Sequence, residues 1–257
     1  MVVLGQKKKF HAVRLVANFC FQTMKKHGMK KIGLIGGMSW ESTALYYQHI
    51  NREVARRQGG LHSAPLHLVS LNFQEIADLQ KQGDWARMTE ILQTAARQLA
   101  HSGAEAVLIC TNTMHRIAPQ VQAATDLPLL HIADATADAV LAAGLSQVGL
   151  LGTRFTMEQA FMRDHLAARG IQCLVPDEPG RAEVHRIIFE ELCRGQVLDD
   201  SRQNLIAQVQ QLAARGAQGV ILGCTELTMS LQPGDGGLPG FDTTALHAMA
   251  AVDFCLS

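Results

Sequence analysis

Three blocks of this chain occur twice, in the same order, and that duplication limits the fold more than any single motif. Ile32–Thr43, IGLIGGMSWEST, is matched by Val148–Gln159, VGLLGTRFTMEQ. Gln98–Cys110, QLAHSGAEAVLIC, is matched by Gln211–Cys224, QLAARGAQGVILGC, with Gly223 as one added residue. Leu127–Ala139, LPLLHIADATADA, is matched by Leu238–Ala250, LPGFDTTALHAMA. Ordered self-similarity of this kind marks two copies of one structural unit.

The periodicity within the copies says what the unit is. Apolar runs of strand length end at Gly36, Cys110, Gly152 and Cys224, and further such runs lie near 66–71 and 171–175. Between them, segments near 42–58, 84–102, 157–169, 183–194 and 201–215 place apolar residues at helical spacing. Strand alternating with helix predicts parallel sheets covered on both faces. The expected fold is therefore α/β: two pseudo-symmetric domains, each a roughly four-stranded, mainly parallel sheet flanked by helices. Ligands of such sheets bind beyond the carboxyl ends of the strands. Gly36-Gly37-Met38-Ser39, Cys110, Gly152-Thr153 and Cys224 all fall there, so an active site is expected in the cleft between the domains. GLIGG fits neither a dinucleotide fingerprint nor a Walker sequence and reads as a tight strand-to-helix turn.

Composition narrows the partners. The 257 residues carry 23 basic and 23 acidic side chains, so no net field draws the chain to nucleic acid or a membrane surface, and a small neutral or zwitterionic ligand fits better. No apolar run approaches the roughly 20 residues of a spanning helix. The six cysteines lack CxxC spacing and no secretory pattern precedes them, which predicts a reduced, cytoplasmic setting. Residues 1–28 lie outside both repeats and are expected to form a loosely ordered tail.

Two of the cysteines stand in matched contexts. Cys110 is followed by Thr111-Asn112-Thr113, and Cys224 by Thr225-Glu226. Related by a pseudo-twofold axis, the two thiols would approach a small molecule from opposite sides. Inverting a carbon that bears hydrogen needs a base on one face and an acid on the other. A thiol serves either role, and its free pKa near 8.5 is expected to fall toward neutrality beside the unpaired N–H groups of a helix start. The remaining cysteines, Cys20, Cys173, Cys193 and Cys255, read as small buried hydrophobes. Glu226 reads either as a partner of the second thiol or the substrate amine, or as a first-turn helix carboxylate. Trp40 and Phe155 read as pocket walls or as core. His115 and His131 read as outer donors to the site or as core, and no histidine spacing indicates a metal.

The motifs GLIGGMSWEST, CTNTMH, LLGTRFTM and GCTEL together make residues 29–257 resemble the aspartate/glutamate racemase family, most closely its broad-specificity amino-acid racemase branch. The resemblance implies racemisation of an amino acid with no pyridoxal phosphate and no metal. It makes Cys110 and Cys224 the acid/base pair and Asn112, Thr113 and Thr153 the holders of the substrate carboxylate. Met38, Ser39, Thr111, Thr225 and Glu226 would line the same site. It further implies a first domain of residues 29–132 plus 240–257, a second of 133–239, and a homodimer. Some glutamate racemases carry an aspartate in the first glycine loop and a histidine after the second Cys-Thr, where this chain has Gly37-Met38 and Glu226. Aspartate-specific relatives hold the distal carboxylate with an arginine and a lysine. Here Asn72–Asp78 contains no basic residue, and Ala182, beside Arg181, stands about where the lysine would be. A neutral side chain is therefore expected in place of aspartate or glutamate. Decarboxylation or cis–trans isomerisation by one thiol, and a catalytically silent binding protein, are the rival readings; two matched thiols favour racemisation.

Overall fold

The computed structural model describes residues 28–232 and 234–257. The expected tail, apart from Gly28, and Cys20 lie outside the described residues. Each repeat opens with a buried strand, β1 (Ile32–Gly36) and, from Val148 onward, β4 (Gln147–Gly152), at an interior position of its sheet. Such apolar runs are what a parallel strand covered on both faces requires. β1 pairs in parallel with β2 (Leu66–Ser70) and β3 (Ala106–Ile109), giving the order β2-β1-β3. β4 pairs in parallel with β5 (Gln172–Leu174) and β6 (Val220–Gly223), and β6 with β7 (Gly240–Asp242), giving β5-β4-β6-β7.

The first sheet thus has three strands where four were expected. Its fourth member shrinks to one parallel bridge, Val107 with Leu129. The Val107 N–H donates to the Pro128 carbonyl and the Leu130 N–H to the Val107 carbonyl. Pairing stops there because His131 already caps the next helix, its Nδ1 accepting from the Ala133 N–H at 3.1 Å.

Helices cover both sheets. In the first half these are α1 (Trp40–Gln58), α2 (Phe73–Gln82), α3 (Trp85–His101) and the short α4 (Ala118–Gln122). α3 shows why its sequence folds so: Met88, Leu92, Ala95, Ala96 and Leu99 form one buried stripe at helical spacing. Then come α5 (Ile132–Ala142), α6 (Arg154–Glu158), α7 (Ala160–Ala168), α8 (Glu178–Arg186), α9 (Asp199–Ala214), α10 (Leu227–Ser230) and α11 (Thr243–Leu256).

α5 and α11 end the two repeats and cross over. Ile132, Ala133, Ala137 and Val140 of α5 pack into the core of the second sheet. Ala248, Ala251, Val252 and Cys255 of α11 pack with Ile32, Leu34, Tyr46 and Ile50 of the first. The two helices also lie against one another, so each half is closed by the other's last segment. Among the described residues no helix is long and apolar enough to cross a membrane.

Candidate active site

The glycine loop after β1 can turn only because Gly37 is a glycine. Its φ is +81°, and a Cβ there would run into the backbone of Leu71. The Gly37 N–H donates to Thr43 Oγ1 at 2.9 Å, which donates onward to the Ser39 carbonyl at 2.8 Å. This locks the loop and starts α1 at Ser39, whose hydroxyl accepts the Ser42 N–H. In the second half Thr153 does the same for α6, accepting from the Thr156 N–H.

Each of these caps reaches the Cys-Thr turn of the opposite half. Ser39 Oγ donates to Glu226 Oε1 at 3.4 Å, and Ser42 and Thr225 share a hydrogen bond of 2.7 Å. Thr153 and Thr113 hydroxyls stand 3.5 Å apart. The pseudo-symmetry visible in the sequence is therefore also a symmetry of contacts. Thr243, first residue of α11, adds a third tie: its hydroxyl accepts from Asn112 Nδ2 at 3.0 Å and donates to the Leu222 carbonyl at 2.9 Å.

These contacts surround a cleft of about 530 Å³ including its open mouth. Of the residues singled out in the sequence, Met38, Ser39, Thr111, Asn112, Thr153, Cys224, Thr225 and Glu226 line it. Two do not: Cys110 is 0% exposed beneath Thr111, and Thr113 is buried against Thr153. Trp40 stands at the outer mouth, 68% exposed, whereas Phe155 packs edge-on against Trp85 away from the cleft.

The two thiols differ electrically. Cys224 Sγ donates to Glu226 Oε2 at 2.9 Å. Burial first, and then the Glu226 charge, hold its pKa well above the ordinary thiol range. Burial alone pushes the Cys110 thiol up. The fall toward neutrality expected from helix starts is thus overturned. The reason is local: Cys110 is followed by a 3-10 turn, Thr113–Ile117, and Cys224 by the four-residue α10, neither of which offers a strong dipole.

Cys193 corrects the sequence reading more sharply. It is exposed and lines both the cleft and its mouth. Desolvation, then the carboxylates of Glu226 and Glu41, push its thiol up to about 12. Sequence reasoning also missed Phe73, Gln80, Ile188 and Phe189, which complete the wall. Among the described residues no Lys, Arg or His lines the cleft itself; Arg194 stands at its outer mouth with Glu41. Arg181 is tied elsewhere, its Nε to Glu158 at 3.1 Å and its Nη1 to the Pro176 carbonyl at 2.9 Å.

His115 braces the first Cys-Thr turn from behind, donating from Nδ1 to the Thr111 carbonyl at 2.8 Å and accepting the Ile132 N–H at 3.2 Å. His131, Asp134 and His165 come close enough to share an ion. However, His131 Nδ1 is engaged in capping α5, and Asp134 already pairs with His165 at 2.7 Å and Arg169 at 3.5 Å. The cluster reads as an ion pair beside a helix cap.

Comparison with known proteins agrees with this architecture. Residues 35–251 match the family model described as Asp/Glu/hydantoin racemase. A crystal structure from Yersinia pestis, presented as a candidate Asp/Glu racemase, is 50% identical and superposes with a TM-score of 0.85 over 89% of this chain and 100% of that one. A Pyrococcus horikoshii aspartate racemase homologue is 34% identical, with a TM-score of 0.78 over 89% of this chain and 100% of that one. Picrophilus torridus aspartate racemase shares the fold at 18% identity, with a TM-score of 0.67 over 87% of this chain and 93% of that one.

Proposed function

Because the chain belongs to the Asp/Glu/hydantoin racemase family, we propose that it is a cofactor-independent amino-acid racemase in which Cys110 and Cys224 serve opposite faces of the α-carbon. The observation that carries the reading is the reciprocal construction of the cleft: two Cys-Thr turns, at the ends of equivalent strands, each met by the helix cap or first turn of the other half.

In this reading Cys224 sheds its proton to Glu226 Oε2, 2.9 Å away, leaving a thiolate and a neutral acid. The substrate's ammonium group, entering beside Glu226, offsets the charge left in the cleft. The thiolate takes the α-proton, and Cys110, which must be uncovered from behind Thr111 for this step, returns one to the opposite face; the reverse reaction exchanges the roles. Asn112 orients the substrate. Its Nδ2 is held by Thr243, while its buried Oδ1 has no partner among the described residues and suits a ligand N–H. The hydroxyls of Thr111, Thr153 and Thr225 supply donors for the carboxylate.

A cleft with one carboxylate and no cation disfavours a second acid on the substrate. An unpaired carboxylate taken from water costs several kcal/mol in effective terms. We therefore read the substrate as an amino acid with a neutral side chain, such as homoserine or methionine. Comparing kcat/KM for L-aspartate, L-glutamate, L-homoserine and L-methionine tests this, and a clear preference for either acid overturns it. Decarboxylation by one thiol is the weaker reading, because it leaves the second Cys-Thr turn without a task.

A further inference from the structure

One wall of the cleft comes from a segment that no motif marks. Beyond α8 the chain passes into a turn of π-helix, Ile187–Glu191, and then a 3-10 turn, Leu192–Arg194, ended by Gly195 at φ +72°. A π-turn inserts one extra residue into a helix and re-aims the side chains that follow; such turns are frequent at functional sites. Here Ile188, Phe189 and Cys193 line the cleft, while Glu191 is buried. Arg186 clamps the turn, its Nη1 on Glu191 Oε1 at 2.6 Å and its Nη2 on Glu183 Oε1 at 2.8 Å. Across the cleft stand Phe73 and Gln80 of α2, with the Gln80 amide nitrogen directed at Met114 Sδ at 3.6 Å.

We propose that Ile188, Phe189 and Cys193, held by the clamped π-turn, are the specificity-determining wall that reads the substrate's side chain. This rests on the racemase reading above. The wall comes from a different segment than the α-carbon machinery, although Cys193 stands close enough to Glu226 to feel its charge: Cys224, Thr225 and Glu226 belong to the turn after β6, and Thr111 and Asn112 to the turn after β3. Phe73 and Phe189 offer apolar surface to a flexible chain. The Cys193 thiol, kept protonated by partial desolvation at the cleft wall and by two nearby carboxylates, adds a polarisable contact without charge. A neutral, extended chain fits such a wall; a carboxylate finds no cation among these three residues.

The test is deuterium incorporation at Cα, measured as kcat/KM for L-alanine, L-homoserine, L-methionine and L-aspartate, in the wild type and in Phe189→Ala, Phe189→Leu and Cys193→Arg. Alanine reports the α-carbon chemistry alone. Loss of wall contacts should lower methionine kcat/KM by about tenfold or more in Phe189→Ala, and alanine by a clearly smaller factor. Phe189→Leu, which preserves more of the packing, should show the same trend more weakly, and Cys193→Arg should raise aspartate relative to methionine. Folded variants that change all four substrates equally, or none, overturn the wall while leaving the racemase reading intact. A wild-type protein that exchanges no amino acid overturns the racemase reading, and the wall with it.

Discussion

Thr243→Val removes one hydroxyl and almost no volume, yet Thr243 joins three parts of the molecule. Its oxygen accepts from Asn112 Nδ2 at 3.0 Å and donates to the Leu222 carbonyl at 2.9 Å, all within buried surroundings. Valine leaves both partners short of a bond, at about 1–3 kcal/mol for each unsatisfied buried group. The expected loss is about 2–6 kcal/mol, or roughly 4–24 °C in Tm for a chain of this size. Thr243→Ser keeps the hydroxyl and loses one buried methyl, worth about 0.8 kcal/mol. Urea unfolding of the three proteins, with the slope unchanged, separates the two effects. Turnover should fall with stability in Thr243→Val, because Asn112 loses the partner that orients it. If the valine variant is no less stable than the serine variant, the hydroxyl is not a tie between the halves.

Other predictions follow from the same geometry. Cys110→Ser and Cys224→Ser should each abolish racemisation, yet each should still eliminate HX from an amino acid with a β-leaving group, with opposite enantiomer preference, as chiral chromatography would reveal; full racemase activity in either excludes a two-thiol mechanism. Glu226→Gln should lower the pH at which Cys224 is alkylated by iodoacetamide, since the carboxylate raises that thiol's pKa, while turnover falls about 10²–10⁴-fold for want of a proton acceptor; unchanged turnover refutes the relay. Buried His247, held at about 4 by desolvation, has a folded pKa below its unfolded value. The unfolded chain therefore binds the extra proton, and stability should be full above about pH 6.5 and decline as pH falls toward 4. Urea midpoints from pH 7.5 to 5 check this, and a flat profile contradicts it.

How much of this was legible in the sequence depends on which interactions carry a pattern. The strand ends at Gly36, Cys110, Gly152 and Cys224 were readable because a covered parallel strand is a continuous apolar run, and duplication set the equivalent ones side by side. α2, which brings Phe73 and Gln80 to the cleft, was overlooked because its short pattern exposes more than it buries. The π-turn was hidden for a related reason: three consecutive apolar residues, Ile187–Phe189, still satisfy a helical stripe, and only the fold shows that Ile188 and Phe189 turn toward the cleft. Cys193 was misread because a cysteine near a helix end is usually a buried hydrophobe. The thiol electrostatics were misread because sequence shows a helix start but neither its length nor the burial beside it. The bridge at Leu129 is likewise tertiary, since its sequence counterpart in the second half does form a strand.

The central claim is that two thiols exchange the α-proton of a neutral amino acid without help from a cofactor. It is tested most directly by incubating the full chain with L-homoserine or L-methionine in D₂O, with no pyridoxal phosphate or metal added, and following Cα–H by NMR and enantiomer ratio by chiral chromatography. The account predicts that deuterium enters at Cα as the D-enantiomer accumulates toward an equal mixture, with no carbon dioxide released. An α-proton that persists in every neutral amino acid offered, or loss of the carboxylate in its place, would contradict it.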